Sequence, residues 1–439
     1  MSAGPSLALG VRLGGNAGGE GACYASNEMS CIRHKLTRFA ISLALTLVAL
    51  PLTAGDWPQF RGPGGEGIAG DAQPPLSWGE DRNVTWKKKI NGLGWSSPVI
   101  GSGKLWLTTA SEEGRSLRVL ALDPETGDTL HNVELFRFET PPKINEKNSY
   151  ASPTPILEDG RVYVHFGTQG TAALTTGGEV LWKTQELRYY HRHGASGSPA
   201  TTKDLLLINC DGYDLQYVVA LDKNTGKIRW KSYRGDSAHA YATPLVISTD
   251  AGKQLISPGA GRTVAYDIDS GEELWWISYN GFSNVPRPVT GHGLVYVTSG
   301  FFKPDLFAIR PDGRGDVTRT HVEWKYSKGV SLTPSPVIIG NELYMISDNG
   351  IATCLDARTG EELWKERLEG GYSASPVYAG GRIYFLNEEA LTTVIQPGRV
   401  FEKLAESRLE GRTLASIAPV DGVIFLRADT HLYRIEEGE

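Results

Sequence analysis

Along most of the chain, apolar and polar residues alternate over four to six positions and then break at Gly, Asp or Asn about every 8–12 residues. That period marks short strands joined by tight turns, and no amphipathic helix competes with it. Representative strands are Leu105-Trp106-Leu107, Val162-Tyr163-Val164 and Leu343-Tyr344-Met345, each entered through a glycine turn. Residues 401–410 have helix-like spacing, but they fall where the neighbouring units carry a strand, so a strand is expected there. One stretch breaks the pattern: residues 39–52, FAISLALTLVALPL, are apolar almost throughout.

The strands recur as one unit written eight times. Each unit opens on a proline, most often after a small or hydroxyl residue, at Pro98, Pro153, Pro199, Pro244, Pro288, Pro336, Pro376 and Pro419. Within a unit the order is strand, Gly turn, strand, turn, strand, Asp-x-x-Thr-Gly turn, strand. In Asp222-Lys223-Asn224-Thr225-Gly226 the Asp and Thr side chains can bond turn amides, and glycine accepts φ > 0. Four-stranded units repeated in this way cannot bury both faces alone and must stack around an axis. The expected fold is therefore all-β, an eight-bladed β-propeller of four-stranded antiparallel blades. The last unit supplies only three strands, around Val420, Ile424-Phe425-Leu426 and Leu432 to Ile435. Its missing fourth strand is expected from Val84-Thr85-Trp86-Lys87, whose Trp-Lys pair matches Trp182-Lys183, Trp230-Lys231, Trp324-Lys325 and Trp364-Lys365.

With 439 residues, 40% of them hydrophobic, the chain can bury a large core. Its net charge of −6, without a polybasic run, argues against nucleic acid or an anionic membrane as the main partner. The apolar run at 39–52 is too short to span a bilayer comfortably. It is preceded by Arg33, His34, Lys35 and Arg38 and followed by Leu52-Thr53-Ala54, the layout of a secretory signal. Residues 1–54 are accordingly expected to be a leader, with Met29 as the start and no lipid anchor. The mature chain, 55–439, is expected as a single propeller in the periplasm or outside the cell. Its two remaining cysteines, Cys210 and Cys354, are expected to stay unbridged.

The text Ala-Leu-Asp-x-x-Thr-Gly-x-x-x-Trp, complete at 220–230, resembles the tryptophan motif of the pyrroloquinoline-quinone-like propellers, in their BamB-like branch. The opening Asp56-Trp57-Pro58-Gln59-Phe60-Arg61-Gly62 resembles the mature start of secreted members. The resemblance implies that Trp182, Trp230, Trp275, Trp324 and Trp364 pack between neighbouring blades. This sequence departs from the motif at His131, in the insertion at 310–322, and at Cys354, which takes an alanine place. The family holds quinoprotein dehydrogenases, the outer-membrane assembly scaffold BamB and sensor domains, so the fold leaves function open. Dehydrogenases of this kind carry a vicinal Cys-Cys pair that is missing here. They also hold calcium through Glu, Asn and Asp beside the quinone, and no motif of this chain supplies that set. The expected role is a ligand-binding or protein-interaction module. A quinone- or metal-dependent oxidoreductase and an envelope-assembly scaffold are the alternatives. Pyrroloquinoline quinone with calcium stays an alternative cofactor, and no reaction is assigned.

In an antiparallel blade, the loop entering the innermost strand and the hairpin joining strands two and three lie on the same rim. Loops of this kind carry function on rigid scaffolds. The rim candidates for a binding funnel are Trp95, Lys147, Asn148, Tyr150, His193, Asp211, His239, Tyr241, Arg262, Asn284 and Arg287. Cations among aromatic plates suit a small anionic or sugar-like ligand, and envelope proteins are the alternative partners of what is expected to be a monomer. Other patterns carry less. His191-x-His193 with His239 could suggest zinc, but is read as a solvated loop. A base formed by His193 and Asp211 would need the two to meet. Asp267-x-Asp269-x-Gly271-x-Glu273 coincides with a turn slot and is read as a turn.

Overall fold

A computed structural model describes residues 55–235 and 238–438. The leader expected at 1–54 lies outside the described residues. Eight antiparallel sheets follow one another along the chain and form a ring. Blades 1 to 7 span 99–137, 156–184, 200–235, 245–278, 289–326, 337–367 and 377–408. Blade 8 joins three strands of 418–435 to the strand Val84–Lys89, which pairs antiparallel with His431–Ile435. The closure expected from the Trp-Lys pair is thus present. Residues 401–410 hold the outer strand Glu402–Arg408 of blade 7. The insertion at 310–322 places Gly315–Asp316 as a fifth, parallel strand against blade 4. Among the described residues no helix is long and apolar enough to cross a membrane.

Burial follows position within a blade. The second strand of blade 5, Leu294–Thr298, is buried at every residue because neighbouring blades cover both its faces. The outer strand Glu362–Arg367 buries Trp364 and turns its charged residues to water. All but one of the motif tryptophans bond to the next blade. The Trp182 indole N–H donates to the Lys223 carbonyl at 2.8 Å, and the ring covers Gly226. That glycine has φ +71°, and a Cβ there would lie 2.5 Å from the Trp182 ring, so no side chain fits. Trp230, Trp324 and Trp364 repeat the bond to Ile268, Ala357 and Gly398. His131 takes the tryptophan place of blade 1 and lies over Gly178 of blade 2. Trp86 bonds Pro124 of blade 1 and lies over Gly127, so the closing strand also makes the last blade-to-blade contact. Trp275 is the exception: its N–H goes to Gln254 of its own blade. The turn that would receive it is replaced by the insertion.

The proline frame needs two corrections. The innermost strand of blade 2 is Ile156–Glu158, so its opening proline is Pro155 rather than Pro153. In blade 8 the strand is Ala418–Val420, and Ile417 holds the proline place, with Pro419 inside the strand opposite Ile424. In the corrected frame the residue before each proline place is Ser97, Thr154, Ser198, Thr243, Arg287, Ser335, Ser375 and Ser416. These residues form a hydrogen-bonded belt around the axis. The backbone N–H of Ser97 donates to Thr154 Oγ1 at 3.0 Å, that of Thr154 to Ser198 Oγ at 2.9 Å, and that of Ser198 to Thr243 Oγ1 at 2.9 Å. The Arg287 N–H donates to Ser335 Oγ, that of Ser335 to Ser375 Oγ and that of Ser375 to Ser416 Oγ, each at 2.9 Å. The Ser416 N–H returns to Ser97 Oγ at 3.1 Å. Seven of these residues precede a proline, which holds them extended, and Ser416, which precedes Ile417, makes the same sideways N–H bond to the neighbouring blade. The circle breaks between blades 4 and 5, where Arg287 has no hydroxyl to offer.

The segment before the closing strand crosses the axis. Trp57 exchanges backbone hydrogen bonds with Ile100 of blade 1, and Pro58 accepts from Leu157 of blade 2. Further along, the Arg61 guanidinium donates to the Ser335 and Pro336 carbonyls of blade 6 at 2.9 and 2.6 Å. Arg287 of blade 5 donates to Gly64 at 3.1 Å and to Gly65. Ile68–Ala69 then pairs in parallel with Tyr378–Ala379 of blade 7. This arm closes the channel at the end opposite the rim loops.

Candidate functional site

The arm leaves a blind funnel. A cavity of about 300 Å³ runs from the rim to Phe60, which forms its floor, and the belt hydroxyls form its wall. That volume lies at the small end of ordinary ligand pockets. Five of the expected residues line it: Trp95, Lys147, Asn148, His193 and Tyr241. The Trp95 indole donates to the Lys147 carbonyl at 3.2 Å, which fixes the 138–154 connection over the mouth. Asn148 Nδ2 donates to the His193 carbonyl at 2.8 Å, joining that connection to the next one. His193 stacks on Tyr241 at 5.9 Å with an interplanar angle of 15°.

The other six expected residues do not line the cavity. Tyr150 donates to the Pro142 carbonyl and covers Gly114 at the side of blade 1. Asp211 accepts Arg234 on both carboxylate oxygens, so it does not meet His193 as a base partner. Arg262 pairs with Glu273 and lies over Trp276 on the outer strand of blade 4. Asn284 is fully buried and donates to Thr298 and Tyr279. Arg287 holds the arm from below. His239 stands behind His193 and Tyr241, at 5.3 and 5.4 Å between ring centres. His191 is buried against Tyr189 rather than solvated. Asp267 caps its turn by accepting from the Asp269 and Ser270 N–H groups, as the turn reading required. Cys210 and Cys354 are both buried and unbridged.

Sequence reasoning missed Glu388. It sits on the blade 7 hairpin and takes Lys147 Nζ at 2.6 Å and the Ser373 hydroxyl at 2.7 Å, so one ion pair spans the mouth. The belt was also missed, although its signal, a hydroxyl residue before most of the opening prolines, stands in the sequence.

Behind the wall, His165 places Nδ1 2.8 Å from the Thr171 hydroxyl and Nε2 3.4 Å from that of Tyr189. Burial pushes its pKa down to about 3, and the neighbouring His191 adds to the shift. An unfolded histidine takes up a proton near pH ~6.5, so acid favours the unfolded chain. The stability held by the neutral ring is complete above that pH and is lost as pH falls toward the folded value. Between about pH 6.5 and about pH 4 this group is expected to cost about 3 kcal/mol. His165→Phe should flatten the dependence of Tm on pH over that range; parallel profiles for variant and parent would remove His165 as the cause.

The family model described as outer membrane protein assembly factor BamB matches residues 79–314 and 305–397. The chain belongs to this family of PQQ-like propellers. The BamB of Shewanella oneidensis is 21% identical over 286 residues, covering 61% of this chain and 69% of that protein. The BamB of Legionella pneumophila is 24% identical over 205 residues, covering 45% of this chain and only 50% of its own length. A tetrathionate hydrolase of Acidithiobacillus ferrooxidans is 22% identical over 316 residues, 66% of this chain and 59% of that enzyme. Among solved structures, BamB from Moraxella catarrhalis superposes with a TM-score of 0.56 at 13% identity, covering 80% of this chain and 97% of that one. The quinohemoprotein alcohol dehydrogenase of Comamonas testosteroni gives 0.60 at 12%, covering 88% and 81%. These likenesses establish the propeller fold shared by the family.

The dehydrogenase cofactor does not fit this funnel. Calcium needs several carboxylate or carbonyl oxygens converging on one point. The polar lining consists of hydroxyls, two asparagines, a lysine and a histidine, with no carboxylate. Glu388, at the mouth, is already engaged by Lys147 and Ser373. Among the described residues no group of three His, Cys, Asp or Glu could hold a metal ion.

Proposed function

We propose that this BamB-family propeller is an exported interaction module of the cell envelope that engages a partner protein through its rim over blades 3 to 5. The observation that carries this reading is an aromatic cluster left open on that rim. Phe301 is 46% and Phe302 76% exposed, although both are large apolar side chains. Phe282 meets them at 5.7 and 5.5 Å and is itself backed by His239, so the cluster is anchored rather than loose. Tyr213 extends it, exposed at 52% with the Arg192 guanidinium over its ring. Contiguous exposed aromatics beside an arginine have the composition of a protein-binding surface. Lys303 and Arg192 flank the cluster, which suits a partner that presents apolar side chains between carboxylates. The relatives named as assembly factors of the outer membrane give that partner a natural setting in the envelope, and the leader at 1–54 would deliver the protein there.

A photo-cross-linking side chain in place of Phe302 is expected to give a discrete adduct with an outer-membrane assembly component in intact cells. The same probe in place of Lys253, on a hairpin at the opposite end of blade 4, should give none. Equal adducts from both positions, or none from 302, would overturn the rim assignment.

A further inference from the structure

The funnel wall has a property independent of the rim cluster. Each of the seven belt hydroxyls accepts a backbone N–H from the preceding blade, and among the described residues none donates its own hydrogen to a protein atom. A hydroxyl has one hydrogen to give. Seven O–H donors therefore stand around the cavity, nearly or fully buried, with no acceptor supplied by the described residues. Each is polarised by the N–H it accepts, which strengthens it as a donor.

Charge around the cavity points the same way. Arg61, Arg287 and Arg427 are buried around the channel, and their hydrogen bonds go to backbone carbonyls and to one hydroxyl, that of Ser96. Arg427 lies against Gly94 and Ser96, the residues that flank Trp95 at the mouth. No carboxylate of the described residues forms an ion pair with any of the three; Glu66 acts on Arg61 and Arg287 from a distance. Burial lowers the Arg427 pKa to about 9, with no opposing charge to offset it. On a chain of net charge −6, the channel interior is thus a pocket of positive potential. Arg427, buried with no opposing charge, is costly unless an anion approaches it, whereas Arg61 and Arg287 share the field of Glu66.

We propose that the funnel binds a small oxyanion, such as a carboxylate, sulfate or phosphate group, whose oxygens accept from the belt hydroxyls. Entry passes the Lys147–Glu388 pair, and Lys147 turns from Glu388 to the incoming anion. The blind floor at Phe60 makes this a site for a solute rather than a conduit through the ring.

Sulfate and phosphate raise the melting temperature of proteins generally by exclusion from the surface, so melting is the wrong readout. Isothermal titration calorimetry with sodium sulfate, sodium phosphate and sodium citrate, against sodium chloride at equal ionic strength, is expected to show saturable one-site heat for at least one of the three oxyanions. Ser198→Ala/Ser375→Ala should weaken it at least tenfold, while Ser198→Thr/Ser375→Thr, which keeps both hydroxyls, should retain it. Should the alanine pair fail to fold, Lys147→Met on the exposed connection provides the second arm and should weaken binding several-fold. Absence of saturable heat from all three oxyanions, or equal affinity in these variants and the parent, would overturn the site while leaving the rim reading to its own cross-linking test.

Discussion

Deleting residues 56–90 is expected to replace one sharp thermal transition by a broad, non-cooperative one. The deletion removes the outer strand of blade 8 and, with Trp86, the contact that seats blade 8 on Gly127 of blade 1. It also removes Trp57 and Trp78, both buried, the latter stacked on Tyr384 at 6.2 Å. Large-to-small changes at buried aromatic sites of this size cost about 3–5 kcal/mol each. A ring that depends on stacking each blade on the next loses cooperativity when one seam opens. Deleting only residues 56–69 keeps the closing strand and serves as the control. That protein should melt at a lower temperature but still in one step. Differential scanning calorimetry separates the two outcomes, and a 56–90 deletion that melts as sharply as the parent would remove the closure argument.

Asp211→Ala is expected to be the most damaging single substitution near the rim. Asp211 and Arg234 pair bidentately with both side chains almost fully buried. Arg234 also donates to the Ser257 and Pro258 carbonyls, which ties blade 3 to blade 4. Removing the carboxylate leaves a guanidinium inside the protein without its counter-charge, a loss of about 3–5 kcal/mol. Asp211→Ala/Arg234→Met removes both charges and should recover most of that loss, because an apolar pair avoids the desolvation of two ions. Urea unfolding of both variants measures the difference; equal destabilisation in the two would show that the pair's charge is not what matters. Oxyanion binding in the funnel should be unaffected in the double variant, since neither side chain lines it.

Asp211 also shows why the site was only partly legible. Its place on a rim hairpin was correct, but rim position does not say whether a side chain turns toward the axis or into the seam between blades. Arg234 follows Asp211 by 23 residues, and nothing in that spacing marks the two as partners. They meet because the outer strand of blade 3 pairs Gly235 with Gln216, which returns Arg234 to the hairpin that carries Asp211.

The belt was legible in principle, since Ser-Pro or Thr-Pro opens six of the blades. It was obscured in blade 2 by two such steps in succession, Ser152-Pro153-Thr154-Pro155, and in blade 8 by Ile417. The pairing of Ile156 with Tyr163 and of Ala418 with Phe425 is what sets the frame. The arm left no periodic signal at all, because residues 56–69 are held by separate contacts to blades that are distant in sequence.

Local patterns in the chain were enough for the eight units, their strand order, the turn chemistry of Asp222 to Gly226 and the closing role of Trp86. Each of these rests on backbone preference or on a repeated side-chain motif. Which rim residues face the axis, that Phe60 floors the channel, and that Lys147 meets Glu388 emerged from the folded ring alone. Those contacts depend on where distant segments come to lie around a common axis, and no local preference encodes that placement.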